Sequence, residues 1–165
     1  MRSFISSFAL MSVLAIPAAA RAATFDFTAT GSGGGFSGTG SFVATSNGGG
    51  SFTIDSITGP GIGSLILPGD FHGNDNLLFP TSASLLDTHG FAFTDTMGNT
   101  DFDVDIFSNG TGGYDAFFLD NDGFSATIPV TFAVTNSNVP EPSSLLLLGT
   151  GVLGVAGIAR RRLLA

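Results

Sequence analysis

Asp101, Asp103 and Asp105 take alternate positions in the stretch "DFDVDIF", residues 101–107. In an extended chain that spacing puts three carboxylates on one face, about 7 Å apart. An unneutralised row of this kind repels itself, so the chemistry it suggests is cation binding. Pairing the apolar face of this stretch with the next apolar run sets Phe102 against Phe118, Val104 against Ala116 and Ile106 against Tyr114. The same register puts Asp105 directly across from Asp115. Two facing carboxylates with loop carbonyls nearby suit Ca²⁺, a hard cation that prefers oxygen ligands. Asp101, Asp103, Asp105 and Asp115 are therefore the candidate calcium ligands, and Asp120-Asn121-Asp122-Gly123 is a second oxygen-rich turn. The pattern is not an EF-hand, because Ile106 stands where that loop needs Gly and Gly112 where it needs Glu. "GGYD" at 112–115 also departs from the calcium β-roll repeat. A solvated acidic face is the plainer alternative.

Catalytic groups are scarce. The histidines are His72 and His89, and the span from Ala22 to Ala159 holds no Lys, Arg or Cys. A Ser-His-Asp set can be written from Ser64, His72 and Asp70, but with serines this abundant such a match carries little information. Neither G-x-S-x-G nor H-E-x-x-H occurs. The expectation is a protein that is not an enzyme and needs no cofactor, calcium being the one ion its carboxylates would take.

The elements that must position these groups read as strands. Phe124, Ala126, Ile128, Val130, Phe132 and Val134 alternate with polar neighbours, as do Phe25, Phe27 and Ala29. Pro129 on the polar side predicts an edge or bulged position for its strand. Asn47-Gly48, Asn109-Gly110 and Asp122-Gly123 mark hairpin turns. The pattern predicts eight or nine short strands. The predicted fold is all-β, a single antiparallel β-sandwich with an open β-barrel as the alternative. Residues 23–137 form this exported domain. Its fifteen phenylalanines supply the core that a chain without cysteine needs, each buried ring contributing on the order of 2 kcal/mol.

Charge sets further bounds. The 165 residues carry a net charge of −8, with 12 Asp and one Glu against five Arg. Such a surface repels nucleic acid, so no nucleic-acid partner is expected. The absence of Cys makes the chain indifferent to the redox state of its compartment.

Both ends read as targeting segments. Residues 1–22 combine Arg2, an apolar run from Phe4 to Ile16 and the small-residue site Ala20-Arg21-Ala22, which predicts a secretory signal peptide cleaved before Ala23. Residues 138–165 hold Pro140-Glu141-Pro142, an uncharged run at 143–159 and Arg160-Arg161-Arg162. A helix over that run would be about 25 Å long, at the lower edge of what crosses a hydrocarbon core. The three arginines would stop transfer and stay on the cytoplasmic side, leaving the domain outside. Gly151, Gly154 and Gly157 near one face are compatible with helix dimerisation, though a strict G-x-x-x-G is missing. A buried core helix is disfavoured because the run has no polar face. Pro-Glu-Pro cannot continue a helix and would hold the chain extended at the outer membrane surface.

With these three parts in order, the tail from Val139 to about Leu163 resembles the PEP-CTERM sorting signal of Gram-negative bacteria. The resemblance implies an exosortase-type membrane transpeptidase as partner, Pro140, Glu141 and Pro142 as its recognition motif, and Arg160 to Arg162 as the stop-transfer cluster. It also implies transient residence in the inner membrane, then the cell surface or an exopolysaccharide matrix. Leu67-Pro68-Gly69-Asp70 is only superficially like a Gram-positive sortase signal, since it lacks the Thr-Gly and lies mid-chain. The expected function is a non-catalytic surface or matrix protein. The alternatives are a calcium-dependent carbohydrate-binding module, which the scarcity of Trp and Tyr disfavours, and a hydrolase.

Overall fold

The computed structural model describes residues 22–32, 36–137 and 151. The signal segment up to Arg21, the Pro-Glu-Pro triplet, the run expected to span a membrane and the arginine cluster lie outside the described residues, apart from Gly151. Among the described residues, no helix is long and apolar enough to cross a membrane.

Among the described residues nine strands form: β1 (Ala22–Gly31), β2 (Ser37–Gly48), β3 (Ser51–Thr58), β4 (Ile62–Leu65), β5 (Leu77–Leu78), β6 (Phe91–Met97), β7 (Thr100–Ser108), β8 (Tyr114–Asp120) and β9 (Ser125–Asn136). They pair antiparallel throughout, in the order β4-β6-β7-β8-β9-β1-β2-β3-β5. The two-sheet sandwich expectation gives way to this single sheet, which curls into a half-barrel around its own apolar face. The curl has local causes. β2 and β3 shift register at Val43/Ala44 and again at Ser46/Gly48, and each such irregularity bends and twists a ladder.

Alternation decides which face goes inward. In β1 the residues Ala23, Phe25, Phe27 and Ala29 are buried, and in β9 Val130 and Phe132 are. With Phe42, Ile54, Phe91, Phe93, Val104, Ile106, Ala116 and Phe118 they make one core inside the curl. Phenylalanine does most of the filling: Phe27 stacks on Phe42 with centroids 4.6 Å apart, and Phe91 meets Phe42 edge-on at 5.1 Å. Phe124, expected on the inward face, is instead 60% exposed, because it precedes β9 in the turn rather than belonging to it. Opposite Phe27 on β2 stands Gly40, where an added Cβ would meet Thr58 O at 2.3 Å and the Phe27 ring at 2.7 Å. Gly40→Ala should therefore destabilise the protein by about 1–3 kcal/mol through overpacking, measured by denaturant unfolding. An unchanged midpoint would show that both the Thr58 carbonyl and the Phe27 ring have room to move.

Pro129 also differs from expectation. β9 is interior, between β8 and β1, so its proline is not at a sheet edge. A residue's N–H and C=O point to the same side of a strand, and the Pro129 carbonyl accepts from Ser32 N at 3.0 Å. The missing N–H thus faces the place where regular β1–β9 pairing has ended, at Gly31 opposite Val130. No ladder bond is lost.

Asn76 bridges β3 and the start of β6, near the two margins of the sheet. Asn76 accepts from Ile54 N on β3 at 2.9 Å through its carbonyl, and donates its own N–H to Gly90 O at 2.9 Å, just before β6. Its side chain accepts from Ala92 N at 3.2 Å and donates to Ile66 O at 2.8 Å. Asn76 is fully buried with φ at +57°, a conformation asparagine tolerates better than most residues. The segment from Ile66 to Asn76, held by these bonds, passes over the outer face of the sheet.

Candidate functional site

The four aspartates expected to bind calcium are not gathered. β7 and β8 pair with Val104 opposite Phe118, Ile106 opposite Ala116 and Ser108 opposite Tyr114. That register is displaced by two residues from the expected one, so Asp105 faces Phe117 and Asp115 faces Phe107. The turn sets the difference, because Asn109 Oδ1 accepts from Thr111 N and Gly113 N and closes the loop tightly. Asp101 is exposed and accepts from Thr96 Oγ1 at 2.7 Å. Asp101 and Asp103 line an open polar groove with Thr94, Thr96 and Asn121. Asp115 is within 3.5 Å of Asn109 Nδ2. In the second oxygen-rich turn, Asp120 Oδ1 is occupied by Asp122 N at 3.0 Å and Phe124 N at 2.7 Å, which makes it a turn-forming group.

Asp105 has a different role. Its side chain is on the outer face of β7 yet 0% exposed, because the 66–76 segment lies over it. His72 Nδ1 is 2.8 Å from Asp105 Oδ2, while Oδ1 has no hydrogen-bond partner. Burial pushes the Asp105 carboxyl up to about 7 despite the His72 hydrogen bond and charge, and Asp75 and Asp87 add to the rise. His72 has φ at +52°. Its ring stacks on Phe117 with centroids 4.6 Å apart and lies 5.2 Å from Phe107. Its side chain is 39% exposed. The aromatic floor thus holds the imidazole over the buried carboxyl with one edge toward water.

A second group stands beside it. Asp75 lies next to Asn76, and Asp87 and His89 lie in the turn leading into β6. Asp75 Oδ1 accepts from Leu77 N at 3.0 Å, and Asp87 Oδ1 accepts from His89 N at 2.8 Å and Gly90 N at 3.1 Å. Each carboxylate is thereby fixed by one oxygen and presents the other. Burial holds Asp75 above the usual aspartate range, and its bond to Asp87 and that group's charge add to the rise. For Asp87 burial acts upward too, but the two backbone N–H bonds, the Asp75 bond and the His89 charge outweigh it and leave the carboxyl low.

The arrangement can hold protons or a cation. It does not assemble the Ser64, His72, Asp70 combination: His72 pairs with Asp105, and the Ser64 hydroxyl is 3.5 Å from Thr94 Oγ1. Sequence reasoning missed both Asp-His groups. Their only signal was two histidines in a chain segment that also carries Asp70, Asp75 and Asp87.

The domain's entry and exit meet on the adjacent central strands β1 and β9. Phe25 pairs with Asn136, Ser137 N donates to Thr24 O at 2.9 Å, and the Ser137 hydroxyl donates to Asp26. Ala23, the expected first residue after signal cleavage, is buried opposite Ala44, while Ala22 is exposed opposite Thr45. A cut between them would leave β1 paired. The tail beyond Ser137 is assigned by comparison with known families. Residues 138–162 match the PEP-CTERM protein-sorting motif. The match covers the Pro-Glu-Pro triplet, the apolar run and the arginines together. The PEP-CTERM motif marks a protein that is exported and carries a membrane-anchored sorting signal, sorted to the surface by exosortase, a membrane enzyme. No curated protein and no solved structure matches the chain.

Proposed function

We propose that the chain is an exported, non-catalytic protein of the cell surface or exopolysaccharide matrix, delivered by a signal peptide and released from the membrane by cleavage near Pro140-Glu141-Pro142. The observation that carries this reading is the PEP-CTERM motif at 138–162, which begins directly after the strand-bound Ser137. The domain supports it: start and end are hydrogen-bonded to each other, so removal of both flanking segments leaves the sheet unbroken. Its phenylalanines are largely committed to packing, and its surface carries carboxylates without Lys or Arg. That composition suits a hydrated, soluble unit within a matrix.

Intact mass of the surface-extracted protein tests the reading. The expected species lacks residues 1–22 and the Arg160–Arg162 cluster. A released form that still carries either segment overturns it. Glu141→Ala keeps the apolar run and the arginines, so insertion should persist while release stops and the protein accumulates in the membrane fraction. Unchanged release would show that Glu141 is not read by the processing enzyme.

A further inference from the structure

Asp75, Asp87 and His89 converge. His89 Nδ1 is 3.7 Å from Asp87 Oδ2 and 4.0 Å from Asp75 Oδ2, and one ligand atom from each residue lies within 4.8 Å of the others. Their orientation is built rather than incidental, because each carboxylate uses its Oδ1 on backbone N–H groups and leaves Oδ2 for the shared space. Outer bonds of this kind orient metal ligands. Deeper in the fold is Asp105, fully buried with Oδ1 unpartnered, and Asp75 and Asp87 are the carboxylates whose charge acts on it. Three carboxylates thus share one region, and among the described residues there is no Lys or Arg to offset them. Protonation of the carboxyls, the histidines and an added cation are what can offset them.

We propose that Asp75, Asp87 and His89 bind a divalent cation of the zinc class, in a site with three protein ligands and an open position toward solvent. The imidazole nitrogen selects this class over calcium, which prefers all-oxygen sites, and two carboxylates with one imidazole match zinc's ligand preferences. Ligands in a tetrahedral shell at about 2.0–2.1 Å from zinc stand roughly 3.3 Å apart, so the three atoms need to close by about an ångström. His89, with its side chain 61% exposed, is free to make that movement. The bound ion would also balance the carboxylate field around Asp105. The ligand residues are not part of the sorting motif, so the test is independent of the function proposed above.

The test uses the full-length chain in detergent, without a histidine tag and stripped of metal by chelation. Zn²⁺ titration by calorimetry should give one ion per chain, and Co²⁺ should develop the visible absorption of a low-symmetry site. His89→Gln, at an exposed position, should weaken Zn²⁺ binding at least about tenfold. Asp87→Asn, which keeps the Oδ1 acceptor for the turn, should do the same. Asp101→Asn with Asp103→Asn should leave binding unchanged. The proposal is overturned by absent stoichiometric binding, by affinity that survives His89→Gln, or by loss of binding in the Asp101/Asp103 variant. Ca²⁺ binding as tight as Zn²⁺ would overturn the assignment of the zinc class.

Discussion

Replacing Asp105 with Asn should raise the stability of the metal-free protein at pH 8 by about 2–4 kcal/mol and remove most of its pH dependence between pH 4 and 7. Asp105 has a carboxyl near 7 in the folded protein against 3.8 as the unperturbed value. Between those two values the native state holds a proton that the unfolded chain has released, so stability falls as pH rises through the window. Above it, the full cost of a buried carboxylate is present. Each unit of difference is worth about 1.4 kcal/mol, and relaxation around the site makes the whole difference an upper bound. Asn carries no charge, and its amide oxygen still accepts from His72 Nδ1–H. The groups that act on Asp105 are His72 and Asp75 from the overlying segment and Asp87 from the turn before β6. Asp75 and Asp95, both raised by burial, leave a shallow slope of the same sign in the variant, while Asp26 and Asp87, both lowered, act oppositely. Denaturant unfolding at pH 5 and pH 8 with chelator present measures the difference. Parallel profiles for the two proteins would show that Asp105 is hydrated or already ionised at neutral pH.

Asp105 also shows what a sequence pattern can and cannot convey. The inward faces of β1 and β9 were legible because alternation reports which side of a strand is apolar, and Asn109-Gly110 and Asp122-Gly123 fall between strands as expected, while Asn47-Gly48 closes β2 and the turn itself is Gly49-Gly50. Register was not legible. A one-residue slip would move Val104 and Ile106 out of the core, but a two-residue slip leaves every side chain on its face. The apolar pattern therefore cannot tell Asp105 opposite Asp115 from Asp105 opposite Phe117, and the bonds within the Asn109–Gly113 turn decide it. Curl was equally hidden: one bent sheet and two stacked sheets ask for the same alternation, and the shifts at Val43/Ala44 and Ser46/Gly48 have no turn residue to announce the first of them. The Asp-His groups come from the 66–90 region, where β5 has two residues and no period exists to read. Their proximity to β7 is created by a crossing segment, a long-range fact with no local signature. The sorting tail was legible for the opposite reason, since its three parts follow one another along the chain and make one contiguous motif at 138–162.

The crossing segment depends on Asn76, and Asn76→Ala should cost about 5 kcal/mol or more, beyond the usual single-substitution range. Three side-chain bonds vanish: to Ile66 O at 2.8 Å, from Ala92 N at 3.2 Å and from Asn74 Nδ2 at 2.8 Å. Each is worth about 1 kcal/mol net. Ala92 is fully buried, so its N–H is left without a partner at a further 1–3 kcal/mol or so. Alanine at φ of +57° adds about 1 kcal/mol that glycine would not. Asn76→Gly should therefore be less harmful than Asn76→Ala by roughly that amount, although glycine deletes the same three bonds. This order is the informative part of the measurement, because a simple loss of side-chain contacts would make the two variants equal. The backbone bonds of Asn76 to Ile54 and Gly90 tie β3 to the start of β6, so amide exchange at Ile54 and Ala92 should accelerate in the alanine variant before the rest of the sheet opens. A loss below 1 kcal/mol, or protection at Ala92 equal to that of the parent protein, would mean that the sheet holds its curl without this seam.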